Sequence, residues 1–81
     1  MKARVYVSLK PTVLDPQGVT IRSALAGLGH SMIAEVRQGK YFDISLAEGV
    51  GREEAERELA EISRDVLSNP VIEDFRVEIL D

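Results

Sequence analysis

Three cations stand beside turn-forming residues in this chain, and they are its best candidates for contact with another molecule. Lys10 precedes Pro11, while Arg37 and Lys40 flank Gln38-Gly39. Basic side chains near strand ends and a tight turn suit acidic groups on a partner, or a phosphate. They suit an ordinary solvated surface equally well. Residues equipped for catalysis are scarcer. His30 is the sole histidine, so one chain supplies no histidine pair for a metal or for acid–base work. Its place between a helix end and a strand reads as a loop position. Ser8, Ser23, Ser31, Ser45, Ser63 and Ser68 lack the strand–turn–helix setting of a nucleophile elbow. Gly49-Val50-Gly51 precedes a helix but lacks the Lys-Ser/Thr of a phosphate loop, and Glu48, Glu53 and Glu54 would repel an anion. There is no cysteine, which excludes disulfides, thiolate metal sites and cysteine nucleophiles and fits a cytoplasmic chain.

The elements that must position these residues are legible as periodicities. In residues 3–9, Ala3, Val5, Val7 and Leu9 alternate with Arg4, Tyr6 and Ser8, a strand with one apolar face. Pro11 ends it, having no N–H to donate. Asp15 is an N-cap candidate and Pro16 suits the first helical position. Leu14 and Val19 are spaced as a hydrophobic staple. Ile21, Ala24, Leu25 and Leu28 form a helical stripe that Gly29 closes. Met32, Ala34 and Val36 then read as a second strand, turning at Gln38-Gly39 into a third strand marked by Phe42, Ile44 and Leu46. A helix is expected over 52–67, with Ala55, Leu59, Ile62 and Val66 on one face. Ser68-Asn69-Pro70 stops it, and Phe75, Val77 and Ile79 mark a last strand. Strand, helix, strand, strand, helix, strand predicts one α+β domain over 1–81. Its fold class is ferredoxin-like βαββαβ, a mostly antiparallel four-stranded sheet with both helices on one face.

Composition narrows the partners. A net charge of −4 opposes nucleic-acid binding, which calls for a basic surplus. No apolar run approaches the ~20 residues of a membrane span, and no leader is expected. An 81-residue chain without disulfides builds a small core, and oligomerisation is the usual remedy. A homodimer or higher homo-oligomer is expected on that ground alone.

Three segments carry a family resemblance. L-K-P-T-V-L-D-P-Q-G, then V-R-Q-G-K-Y, then L-S-N-P-V-I-E-D-F occur in this order and resemble the small PurS-type subunit of phosphoribosylformylglycinamidine synthase. Thr12 departs from the glycine more usual in that family, and Gln38 from an apolar residue. The resemblance implies a non-catalytic subunit of the purine-biosynthesis complex that converts formylglycinamide ribonucleotide to formylglycinamidine ribonucleotide with ATP and glutamine. Its partners would be a glutaminase and a synthetase, which it would bridge so that ammonia passes between them. It would carry no cofactor of its own, ATP and Mg being used by the synthetase. The motif positions expected to meet partners are Lys10, Pro11, Arg37, Gly39, Lys40, Asn69 and Pro70. A small-molecule-binding regulatory domain is the alternative. A single-stranded RNA binder that stacks bases on Tyr6 and Tyr41 ranks below both, lacking the aromatic RNP signature.

Overall fold

The computed structural model describes residues 1–80. Three strands form one antiparallel sheet in the order β2-β1-β3, with β1 Lys2–Leu9, β2 Gly39–Ser45 and β3 Glu73–Leu80. Val5 lies opposite Phe42 on one side and Val77 on the other, and Ala3 opposite Ile44 and Ile79. The apolar alternation therefore lands on one face, as its period of two requires. Helix α2, Arg52–Ile62, covers that face. Ala3, Val5, Val7, Ala55 and Leu59 are buried there, with Ile44, Leu46, Val50, Val77 and Ile79 packed around the Ala3–Ala55–Leu59 centre. The helix ends in a π-helical turn, Ser63–Leu67, where the Ser68 hydroxyl donates to the Ser63 carbonyl at 2.7 Å. Proline at position 70 prevents its continuation, as the sequence indicates.

Two expectations fail here. The sheet has three strands and not four, and only one helix packs on it. Residues 32–36 form no ladder among the described residues, so the expected hairpin at Gln38-Gly39 does not exist; Gly39 is already paired, opposite Ser8. The physical reason lies at Asp15, whose carboxylate takes the Gln38 N–H. That bond ties the chain ahead of β2 to the start of helix α1, Pro16–Gly27, and leaves no turn there.

Helix α1 begins as read. Asp15 Oδ1 accepts the Gly18 N–H at 2.9 Å, and Pro16 opens the first turn. Its end is a Schellman motif: Gly29, at φ +95°, donates to the Ala26 carbonyl while His30 donates to that of Leu25. The apolar stripe between those caps finds no cover. Gly18 is the one buried residue of α1; Leu14, Val19, Ile21 and Leu28 are exposed, so the staple shields little. The molecule measures 51 × 27 × 14 Å with a radius of gyration of 16.2 Å, where a compact chain of this length has about 12 Å. Its length is roughly that of the sheet and α1 placed end to end.

Helix α1 and the chain that leads from it to β2, residues 16–38, form a projecting arm, and Gly18 explains how closely its two ends approach at the root. A Cβ there would clash with the Val36 carbonyl oxygen, whereas one at Gly27 would meet open space. Gly18→Ala is therefore expected to destabilise the fold by about 2–3 kcal/mol. Gly27→Ala should stabilise it by about 0.4–1 kcal/mol. Urea unfolding of the two variants checks the contrast.

Candidate functional site: the corner at one end of the sheet

The seven motif residues are scattered along the chain, yet the topology brings them to one end of the sheet. Antiparallel pairing places the end of β1 beside the starts of β2 and β3. Lys10 prolongs β1 by donating its N–H to the Ile72 carbonyl at 2.8 Å. Its own carbonyl then accepts from Val13 N–H at 2.9 Å and from Arg37 Nη2 at 3.0 Å. The turn after Pro11 is thus closed by a guanidinium, because Arg37 Nη2 also donates to the Val13 carbonyl at 2.9 Å. Gly39 pairs with Ser8, and a Cβ there would stand 2.8 Å from the Val7 carbonyl oxygen. Lys40, exposed, carries its ammonium 5.6 Å from the Phe42 ring centre. On the third strand's side, the Asn69 carboxamide oxygen accepts from Val71 N–H at 3.0 Å, an Asx turn that Pro70 stiffens.

Three residues that the motif reading passed over complete the corner. Glu73 Oε1 accepts the Asn69 N–H at 2.7 Å, locking the turn from the strand side. Gln38 donates its amide to the Gln17 side chain at 2.6 Å. Asp15, read only as a cap, has a second bond: its Oδ2 accepts the Gln38 N–H at 2.6 Å. The spacing of Asp15 and Pro16 shows the first bond, but nothing local in sequence points to the second. A cleft of about 250 Å³ lies here, lined among others by Ser8, Asp15, Gln17, Gln38, Lys40 and Glu73.

The electrostatics follow from these bonds. Asp15 is 4% exposed. The backbone N–H groups of Gln38 and Gly18 hold its carboxyl below the usual carboxylate range, outweighing the cost of burial, with Arg37 assisting. Arg37 and Lys40 therefore differ in role. Both are exposed, but the first has its guanidinium tied to two backbone carbonyls, whereas the second carries its ammonium over the Phe42 ring.

On the opposite face of the sheet, Arg4 bridges to Asp43 at 2.7 Å and lies 4.6 Å from the Tyr41 ring centre. Arg76 lies 4.2 Å from that of Tyr6, whose hydroxyl donates to Glu78 at 3.4 Å. Both tyrosines carry the chain's own guanidinium groups, which disfavours their use as stacking platforms for bases. His30 stands exposed at the end of α1, away from the corner cleft. Among the described residues, no helix is long and apolar enough to cross a membrane.

The described residues form a small α+β fold in which the three quoted segments meet at one hydrogen-bonded corner. Comparison with known proteins gives the family. The sequence model of PurS, phosphoribosylformylglycinamidine (FGAM) synthase, matches residues 2–81, and the chain belongs to that family. It is 43% identical over 76 residues to the phosphoribosylformylglycinamidine synthase subunit PurS of Mycobacterium leprae, covering 94% of this chain and 91% of that protein. The Bacillus subtilis PurS structure superposes with a TM-score of 0.86 at 36% identity, covering 99% and 98% of the two chains. A chain of the Thermotoga maritima PurLQS structure gives a TM-score of 0.86 at 28% identity, covering 98% and 95%.

The depressed Asp15 value fixes the sign of an acid dependence. Its carboxylate stabilises the fold fully above the ordinary value of about 4, and that contribution is lost as pH falls through the lower folded value. The urea midpoint of the wild-type chain should fall more between pH 6 and pH 3 than that of Asp15→Asn, which should also be the less stable protein at pH 6. Equal pH slopes for the two would contradict the clamp.

Proposed function

We propose that this chain is the non-catalytic small subunit of an FGAM synthase complex, converting formylglycinamide ribonucleotide to formylglycinamidine ribonucleotide with ATP and glutamine. It bridges a glutaminase and a synthetase. The observation that carries this reading is the superposition of nearly the whole chain on a component of the PurLQS assembly. ATP and Mg belong to the synthetase, and this subunit acts in the cytoplasm as a homodimer or higher homo-oligomer. Its contribution is positional. Holding two centres in register turns diffusion of ammonia between them into a nearly intramolecular transfer, and that demands rigid contact elements. The corner supplies them: Pro11, Gly39, Asn69 and Pro70 shape the backbone, Arg37 braces it, and Lys10 and Lys40 present charge.

Co-elution tests the bridge. The three purified proteins should run as one complex that fails to form when this chain is omitted. Lys40→Glu, at an exposed position, should weaken assembly by about 10-fold and leave the fold unchanged, consistent with loss of one desolvated charge contact. Complex formation without this chain would overturn the reading.

A further inference from the structure

The corner cleft is lined by two opposite charges that do not meet. Lys40 stands opposite Val7, and Glu73 opposite Leu9. Cross-strand partners share a face, and so do residues two apart on one strand. Lys40 and Glu73 therefore rise from the same face of the sheet, one on each strand flanking β1. Strand spacing and rise put their Cα atoms about 12 Å apart. Both line the cleft. Yet Lys40 makes no ion pair among the described residues, and its ammonium lies 5.6 Å from the Phe42 ring centre. Glu73 commits one carboxylate oxygen to the Asn69 N–H, and the other has no partner among the described residues.

The lining narrows what could join them. A volume of about 250 Å³ lies below the roughly 300–1,000 Å³ of sites for drug-sized ligands, which disfavours a nucleotide. A free phosphate would meet the single cation Lys40 against the carboxylates of Asp15 and Glu73. A divalent cation would find too few oxygens, because both oxygens of Asp15 already accept backbone N–H groups. An uncharged ligand would cover Lys40 and Glu73 and leave both unpaired. A ligand carrying both signs satisfies them together. Bond geometry sets the ammonium and carboxylate of an α-amino acid about 3 Å apart. With a charge-assisted hydrogen bond of about 2.8 Å at each end it spans roughly 8 Å. Two long side chains rooted on flanking strands reach that separation. Ser8 and the bonded carboxamides of Gln17 and Gln38 add polar lining, which suits a small polar side chain.

We propose that the corner cleft binds a free α-amino acid with a small polar side chain, its carboxylate on the Lys40 ammonium and its ammonium on the free Glu73 oxygen. Occupation ties the start of β2 to the turn at Asn69 and Pro70, since Glu73 also holds the Asn69 N–H. The inference goes beyond the bridging role and does not rest on it.

The test titrates the whole chain with L-serine and follows the backbone amide resonances of Ser8, Gly39, Lys40 and Glu73 by NMR. Saturable shifts confined to the corner are expected, with a Kd of about 1 mM or below. L-Serine methyl ester lacks the negative charge and N-acetyl-L-serine the positive one, and each should bind at least about 10-fold more weakly. Lys40→Gln and Glu73→Gln should each raise the L-serine Kd by at least about 10-fold. Glu73→Gln keeps a side-chain oxygen for the Asn69 N–H, and an unchanged Asn69 resonance verifies that the turn survives. The site is overturned by the absence of saturable shifts up to about 50 mM L-serine, or by a Kd within about threefold of wild type for either variant. Equal binding of serine, its ester and its N-acetyl form would overturn it as well.

Discussion

One carboxylate sets the layout of this molecule. Asp15 accepts from Gly18 through one oxygen and from Gln38 through the other, so a single side chain both starts α1 and decides where it departs from the sheet. Without the first bond the helix loses its cap; without the second its root is free to swing. The close approach of Gly18 to Val36 and the Arg37 contacts to Lys10 and Val13 are arranged around that point. Because the carboxylate is nearly buried and satisfied by backbone donors, its geometry is specified more tightly than a surface ion pair would be.

That constraint explains the division of the molecule into a packed half and a projecting half. Strands β1, β2 and β3 with α2 bury Ala3, Val5, Val7, Ala55 and Leu59 and account for the stability an 81-residue chain can hold by itself. The arm contributes surface. Between the two halves sits the corner, where the family's shared segments converge. There Arg37 is tied to the Lys10 and Val13 carbonyls, while Lys40 keeps its ammonium free of such bonds over the Phe42 ring.

Much of this was legible in the sequence, and the failures share one cause. Strand β1, the Asp15-Pro16 start, the Gly29 stop and the break before Pro70 each follow from local rules, and each is observed. Residues 32–36 have the alternation of a strand but lack a neighbour to pair with within the chain, and alternation cannot report that. The Gln38-Gly39 pair looks like a turn, yet a contact with Asp15, 23 residues earlier, takes the Gln38 N–H. The candidate site divides in the same way. Its seven motif positions were put forward through family resemblance, and the structure brings them to one corner, whereas the contacts of Glu73, Gln17 and the second bond of Asp15 depend on tertiary structure. Propensity is local, and the arm is placed by a long-range bond.

The role proposed for this chain is to work by position and not by chemistry. The most direct measurement compares nitrogen donors in a reconstituted enzyme, with glutaminase and synthetase assayed in the presence and absence of this chain. Turnover with glutamine should require it, while turnover with ammonium should be largely independent of it. A loss that is equal with both donors would place this chain in the synthetase's own chemistry and contradict the account.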